Sequence, residues 1–122
     1  MKYVCLIYVP ADFVPTADDR EALRKGYADH VEMHDEAAIL ARARLREAAT
    51  ATTVRVRGGQ RLLSDGPYAE AKELLGGFYL IECADLDAAL DYVTRMPIVA
   101  YGAIEVRPIV ENWTPERESF RY

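Results

Sequence analysis

His30 and His34 are the two histidines of the chain, and four positions separate them. On a helix, side chains at this spacing lie on the same face, so both imidazoles can reach one ligand or one metal ion. A zinc site needs further ligands, and the sequence has neither an HExxH motif nor a cysteine cluster. We therefore expect no metal, and interpret each histidine either as a core residue bonded to the backbone or as a base for proton transfer.

Other polar residues are candidates for binding a substrate. Residues 70–73 are predicted to form one helical turn, whose charged groups are usually solvated surface. If this turn lies over a cleft, Lys72 could receive a carboxylate or oxyanion and Glu70 could exchange protons. Tyr8 and Arg107, from two different strands, are candidates for the lining of the same cleft. The alternatives are packing for Tyr8 and an ion pair with Glu105 or another acid for Arg107.

Length and composition limit the classes of protein to consider. The chain has 122 residues, 51% hydrophobic and 29% charged, which is typical of one globular domain. We assign residues 1–110 to this domain and residues 111–122 to a C-terminal tail. The net charge of -5 does not indicate a positively charged binding surface, so no nucleic acid partner is expected. The first apolar stretch is too short to span a membrane and lacks a signal-peptide cleavage site, which predicts a cytoplasmic protein without a membrane partner.

Two apolar runs, Val4 to Val9 and Gly77 to Cys83, predict central strands that are buried on both faces. Each run contains or ends at one of the two cysteines, and we expect both to be buried free thiols. Asp85 is the predicted N-cap of a helix that Pro97 ends. The face of this helix that we expect to be buried consists of Leu86, Ala89, Leu90, Val93 and Met96.

A longer helix is predicted between these two strands. Thr16 followed by Asp19 is typical of an N-cap with an acidic first turn, and the helical pattern continues to about Ala38. At about 100° per residue, Leu23, Tyr27, Val31, His34 and Ala38 fall on one stripe. This places His34 on the inner face of the helix and His30 at the margin of the stripe, partly exposed.

The remaining segments are predicted to be strands. Thr52 to Arg57 alternates in polarity, and Gly58-Gly59 then supplies a two-residue turn into Gln60 to Ser64, which predicts a hairpin. Ala103 to Val110 also alternates, and Pro108 is tolerated only near the edge of a sheet or the end of a strand.

The predicted order of strand, helix, hairpin, strand, helix, strand indicates an α+β, ferredoxin-like βαββαβ domain. Two helices can cover only one face of its sheet, although the sequence predicts that the central strands are buried on both faces. A homodimer joined sheet to sheet satisfies this pattern. In the alternative, a monomer folds its tail over the sheet, but residues 114–122 are too charged to cover it well.

Four blocks of sequence, in this order, resemble the DGPF-domain group of the YCII-related proteins. They are 51–57 (ATTVRVR), 65–73 (DGPYAEAKE), 75–82 (LGGFYLIE) and 105–108 (EVRP). The resemblance implies a dimeric α/β barrel of largely undefined activity. Relatives in the wider group resemble small enzymes without a cofactor that act on oxidised aromatic compounds and carry a His/Asp pair beside the dimer interface. Members of this group are also associated with alternative sigma factors, which implies a regulatory context.

The chain departs from the pattern of that group at three positions. Tyr68 replaces a usual Phe, which keeps the aromatic body and adds a hydroxyl, so we include it among the substrate-binding candidates. Ala71 replaces a usual Thr and removes a hydroxyl. Ala38 stands where a Gly commonly ends the first helix, which predicts that the helix continues through Ile39 and Leu40.

Asp65 matches the acidic position of the wider group, which implies that it orients an imidazole from the first helix. We favour His34 as its partner because of its expected burial, with His30 as the alternative. Asp65 also begins a turn, where Asp commonly bonds to the backbone. Two functions follow as hypotheses. One is a cofactor-independent enzyme that uses the His/Asp pair on a small carbonyl-bearing or oxidised aromatic molecule, and the other is a ligand-binding or regulatory dimer without turnover.

Overall fold

A computed structural model describes residues 1–32 and 37–116 of the chain, except for the side chains of residues 31 and 32. Two helices and six strands follow one another in this range. They are β1 (Lys2–Pro10), α1 (Ala17–Glu32), β2 (Ala37–Arg44), β3 (Thr52–Arg57), β4 (Gln60–Asp65), β5 (Glu73–Cys83), α2 (Leu86–Thr94) and β6 (Ala103–Pro108). Short 3-10 turns lie at Ala48–Thr50 and Pro97–Ala100. No helix in the described ranges combines the length and the apolar character needed to cross a membrane.

The main sheet has four antiparallel strands in the order β2-β5-β1-β6. Its chain order, β1-α1-β2-β5-α2-β6, is compatible with the predicted ferredoxin-like fold. Strands β3 and β4 form a separate two-stranded sheet that is inserted between β2 and β5. Gly58 and Gly59 make its turn with positive φ angles of 56° and 75°, as the glycine pair predicted.

Strand β2 was not predicted, and the expected extension of the first helix is wrong. Helix α1 ends at Glu32, and Ala38, Ile39 and Leu40 belong to β2 instead. The alanine-rich sequence of β2 has a high intrinsic helix propensity. In the fold, pairing with β5 overrides this preference, because β2 satisfies the second hydrogen-bonding edge of that strand from Ala37 to Arg44. His34 lies outside the described residues, and so do the predictions made for it.

Both predicted helix caps are confirmed. The amide of Asp19 donates to Thr16 Oγ1 at 3.1 Å, and the amide of Thr16 donates to Asp19 Oδ2 at 2.9 Å, a reciprocal capping box at the start of α1. At α2, Asp85 Oδ1 accepts from the amide of Ala88 at 2.9 Å. These caps fix where the two helices start above the sheet.

The hydrophobic core lies between the helices and one face of the main sheet. Its buried members are Tyr3, Cys5, Tyr79, Ile81, Cys83, Ala89, Tyr92, Val93, Met96 and Ile98. Both cysteines are buried and free, as expected. The predicted inner face of α2 is partly wrong, because Leu86 and Leu90 are exposed while Tyr92 is buried. Leu23 and Tyr27 of α1 pack against the same core, as the helical stripe predicted.

The opposite face of the main sheet carries a second set of apolar side chains. We call it the open face, formed by Val4, Leu6, Tyr8, Phe78 and Leu80 of the two central strands, and its residues are half-buried. Cross-strand pairing places Leu6 opposite Phe78 and Val4 opposite Leu80. The core contacts of α1 and α2 lie on the other side of the sheet. The described helices therefore leave the open face uncovered.

Candidate functional site

His30 lies in the last turn of α1 and contacts α2. Its side chain is only 4% exposed, so its predicted place at the exposed margin of the helix is wrong. The Nε2 atom lies 3.2 Å from the backbone oxygen of Tyr92, and the two rings are 4.7 Å apart between centroids. When Nε2 carries the proton, it donates to this carbonyl. The backbone contact corresponds to the interpretation of His30 as a packed core histidine.

Three tyrosines lie in the core or pack against it, and we call Tyr27, Tyr79 and Tyr92 the tyrosine cluster. The rings of Tyr79 and Tyr92 meet edge to face with centroids 6.4 Å apart. Tyr27 packs against the core cluster to which both belong. The sequence predicts burial for Tyr27, on the helical stripe, and for Tyr79, in a central strand, but not for Tyr92. Tyr92 could have been recognised, because it lies three and four residues from Ala89 and Met96, which are both buried.

Burial changes the acidity of two of these phenols. Desolvation raises the pKa of Tyr92 to about 12 and the pKa of Tyr27 to about 12. The positive charges of Arg42 and Arg44 act in the opposite direction, on Tyr92 and Tyr27 respectively. At neutral pH both phenols are therefore protonated, and each hydroxyl can donate a hydrogen bond.

Arg42 and Arg44 come from the edge strand β2. Arg42 is directly opposite Tyr79 in β5, and Arg44 is opposite Gly77. Residues paired in this way have side chains on the same face of the sheet, so both arginines lie on the side of the tyrosine cluster. Both side chains are exposed. We call Arg42, Arg44 and the tyrosine cluster the Arg–Tyr site.

The Arg–Tyr site combines three kinds of contact. Guanidinium groups bind carboxylates through paired hydrogen bonds, phenol hydroxyls donate further hydrogen bonds, and aromatic rings pack against flat apolar groups. Such a set suits a small organic anion. Sequence reasoning missed the arginines because residues 37–40 are expected to extend the first helix and no strand is predicted at residues 41–44. Among the described side chains, no three metal-ligating groups converge.

The raised tyrosine pKa values predict a loss of stability at high pH. In an unfolded chain tyrosine ionises near pH 10, whereas Tyr27 and Tyr92 ionise at about 12 in the fold. Their stabilising contribution is thus complete below pH 10 and is lost as the pH rises from 10 through 12. Thermal unfolding between pH 8 and 12 measures this loss.

We expect Tyr27→Phe to flatten this pH dependence, because phenylalanine cannot ionise. Tyr68→Phe is the matched control, since Tyr68 is 76% exposed and should leave the profile unchanged. Equal profiles for the wild type and Tyr27→Phe across this range would contradict the assignment.

The Asp65-Gly66-Pro67 turn has a structural role. Asp65 ends β4 opposite Thr52 and is exposed. The next residue, Gly66, has a φ of 93°, and its amide donates to the oxygen of Ala51 at 2.7 Å. Within the described residues, no hydrogen bond or ion pair joins Asp65 to His30. Pairing of Asp65 with His34 stays a prediction, because His34 lies outside these residues.

The loop after this turn is irregular, and the helical turn expected at residues 70–73 is wrong. Tyr68 is exposed, and its ring centroid lies 5.0 Å from Cζ of Arg55, a cation–π contact. Glu70 and Lys72 are also exposed. The backbone oxygen of Lys72 accepts from the amide of Ala11 at 2.7 Å, which ties the loop to the end of β1. These three candidates therefore lie on an exposed loop, and their role in binding stays a prediction.

Tyr8 and Arg107 share the open side of the main sheet. Tyr8 is opposite Ala103 in β6, and Arg107 is opposite Val4, so four positions of β1 separate them. Arg107 forms an ion pair with Glu105 at 2.5 Å, as the alternative for this residue predicted. The two residues therefore share a face of the sheet but do not meet.

A groove of about 310 Å³ lies at the end of the sheet where β2 and β5 meet the hairpin segment. Its lining includes Leu45, Ala48, Ala51, Pro67, Leu74 and Leu75. Leu75 pairs with Tyr8, so the groove is continuous with the open face. A second depression, of about 400 Å³, is lined by Lys2, Glu82 and residues 109–112 and contains none of the candidate site residues.

Comparison with known proteins gives two findings. The family model of the YCII-related domain matches residues 1–113. The chain is also 46% identical over 69 residues to an uncharacterized protein of Rhizobium meliloti (strain 1021). That alignment covers 55% of this chain and 56% of the relative, so the chain spans about half the length of the curated relative that it matches.

Proposed function

Because the chain belongs to the YCII-related domain family, we propose that it is a homodimeric ligand-binding protein whose Arg–Tyr site takes a small aromatic carboxylate. The observation that carries this proposal is the cross-strand pairing of Arg42 with Tyr79. This pairing places a guanidinium beside a cluster of buried phenols. An aromatic carboxylate would contact both parts of the site, with its carboxylate on the guanidinium group and its ring on the tyrosine side chains.

The chemistry of the site selects the ligand class. A carboxylate accepts two parallel hydrogen bonds from one guanidinium, which gives orientation as well as affinity. Tyr27 is half-buried, and its hydroxyl, protonated at neutral pH, can donate to a ligand oxygen. Tyr92 is only 1% exposed and lies beneath the site in the core. An aliphatic anion lacks the flat surface that the tyrosine rings would contact, so aromatic acids fit better.

Binding without turnover explains the described groups better than proton transfer does. Nε2 of His30 faces the backbone oxygen of Tyr92 at 3.2 Å, and the imidazole is 4% exposed. A general base must reach the proton that it removes, within hydrogen-bonding distance of a substrate. Asp65, its proposed helper, is exposed at the end of β4. A small-molecule sensor in a regulatory setting is thus our proposal for the role of this chain, in place of a His/Asp enzyme.

The open face supports the homodimer. It presents apolar side chains from two adjacent central strands, while the described helices cover the other side of the sheet. Contiguous apolar surface of this kind usually marks an interaction site. Two copies joined face to face would bury Leu6, Phe78 and Leu80 against the same residues of the second copy. We place this dimer in the cytoplasm, since two free buried cysteines suit a reducing compartment.

Isothermal titration calorimetry with 4-hydroxybenzoate tests the ligand class. We expect measurable binding of 4-hydroxybenzoate and none of 4-hydroxybenzyl alcohol, which lacks the carboxylate. Arg42→Gln should weaken binding by about tenfold or more, because a hydrogen bond to a charged group contributes about 1.5–3 kcal/mol. Arg57→Gln is the matched control, since Arg57 is an exposed arginine of the hairpin.

Two results would overturn this proposal. One is the absence of binding at millimolar 4-hydroxybenzoate. The other is an equal loss of affinity in Arg42→Gln and Arg57→Gln, which would assign the effect to net charge alone.

A further inference from the structure

The hairpin of β3 and β4, residues Thr52–Asp65, extends from the main sheet, and we call it the arm. It forms its own two-stranded sheet. Its apolar side chains are largely accessible, with Val54 59%, Val56 60%, Leu62 47% and Leu63 58% exposed. An isolated two-stranded hairpin is at best marginally stable in water, and burial of an apolar face is what stabilises larger sheets. The arm therefore needs a surface that covers it.

One face of the arm is the more apolar. Val54 is directly opposite Leu63, and Val56 is opposite Arg61. These side chains share a face because residues two positions apart in a strand point the same way. The other face carries Arg55, which lies over the ring of Tyr68 at 5.0 Å. The face of Val54, Val56 and Leu63 is thus the one that remains to be covered.

Charge is strongly segregated along this chain. Residues 37–65 contain six arginines and two acidic residues, Glu47 and Asp65. The remaining residues contain nine lysines and arginines against eighteen aspartates and glutamates. The segment that includes the arm is therefore basic, and the remaining residues, which we call the acidic body, carry an excess of negative charge. The two are complementary between copies of the same chain.

The base of the arm lies beside the open face. Leu45 follows β2, and its amide donates to the oxygen of Gly76 at 2.9 Å. Leu45 and Leu75 line the groove of about 310 Å³ together with Pro67, which follows the arm. Leu75 in turn pairs with Tyr8 of the open face. A second copy seated on the open face would therefore lie next to the arm.

We propose that the arm of each copy packs on the acidic body of the second copy, with Val54, Val56 and Leu63 against the partner and Arg61, which shares their face, directed at its carboxylates. This inference rests on the proposed homodimer and adds a second contact region to it. Each protomer both gives and receives an arm, as twofold symmetry requires.

Two other arrangements fit the observations less well. Arm against arm would place Arg61 of both copies in the same apolar contact, and like charges at short distance oppose association. A nucleic acid would neutralise the arginines through its phosphates but would leave the apolar face in water. An acidic protein surface accounts for both the charge and the apolar side chains.

Sedimentation equilibrium of the full chain measures the dimer dissociation constant. We expect the double variant Val54→Ser/Leu63→Ser to raise this constant about tenfold or more, since each substitution removes a buried apolar side chain from the contact. The reversal Arg61→Glu should raise it as well. Arg20→Glu is the matched control, because it makes the same charge change on an exposed residue of α1. Circular dichroism checks that each variant is folded.

The outcomes separate this inference from the dimer on which it rests. If arm variants keep the dissociation constant of a dimeric wild type within twofold, the arm inference fails while the dimer stands. An effect of Arg61→Glu that the α1 control equals would also overturn it. A loss of binding to a 20-base-pair DNA duplex on arm substitution, with the dimer unchanged, would assign the arm to a nucleic acid instead. A monomeric wild type would overturn both proposals.

Discussion

Leu80→Asp is expected to convert the proposed homodimer to a monomer. Leu80 lies on β5 in the middle of the open face, opposite Val4 on the neighbouring strand. In a sheet-to-sheet dimer each copy would bury one unpaired carboxylate, and an uncompensated buried charge costs several kcal/mol. Symmetry doubles this cost, so we expect the dissociation constant to rise by at least about a thousandfold. Sedimentation velocity at micromolar concentration measures the change.

A leucine on the other side of the molecule provides the control for this experiment. Leu86 begins α2 and is 47% exposed, and an aspartate in the first turn of a helix is favourable. Leu86→Asp therefore makes the same chemical change outside the open face and should leave the dimer intact. A Leu80→Asp protein that remains dimeric would contradict the assignment of the open face as the interface.

Gly77→Ala is expected to lower the free energy of unfolding by about 2–3 kcal/mol. A Cβ atom at this position would lie 2.7 Å from the backbone oxygen of Ala43 in β2. Backbone atoms cannot yield as a flexible side chain can, so β2 must shift away from β5. Since Gly77 is paired with Arg44, the same shift should weaken ligand binding at the Arg–Tyr site. Urea unfolding measures the first effect and calorimetric titration the second.

The neighbouring glycine separates this steric effect from the general effect of replacing glycine. A Cβ atom at Gly76 would lie 3.4 Å from Cγ2 of Val9, an ordinary contact with a side chain. Replacing a glycine by alanine where the backbone permits it stabilises a protein by about 0.4–1 kcal/mol, because the unfolded chain has less freedom to lose. We therefore expect Gly76→Ala to be neutral or slightly stabilising. Equal destabilisation by both substitutions would show that close contact with β2 is not the cause.

Much of the fold could be predicted because local chemistry and tertiary structure agree. The capping side chains of Thr16 and Asp85 form the expected bonds, and Gly58-Gly59 makes the expected hairpin turn. The two continuous apolar runs correspond to the central strands β1 and β5. In each case a short sequence pattern has one favourable structure, and the rest of the fold does not oppose it.

Strand β2 could not be predicted, because its sequence and its environment favour different structures. Residues 37–44 (AAILARAR) have high helix propensity, and only the unpaired edge of β5 makes them a strand. The Arg–Tyr site was missed for the same reason, since Arg42 and Arg44 reach the tyrosine cluster only as strand residues. The burial of His30 was missed because it depends on the position of α2, which no local pattern around His30 contains.

The inserted hairpin also has a consequence for how the chain folds. Strands β2 and β5 are neighbours in the sheet, but residues 45–72 separate them in sequence. The hairpin closes through local contacts around a two-residue turn, and such hairpins form within microseconds. Once it has formed, only the segments 45–51 and 66–72 remain to be closed, about half of the original loop. Halving a loop lowers its closure entropy cost by about 0.6 kcal/mol, so early closure of the hairpin should speed the long-range pairing that creates the Arg–Tyr site.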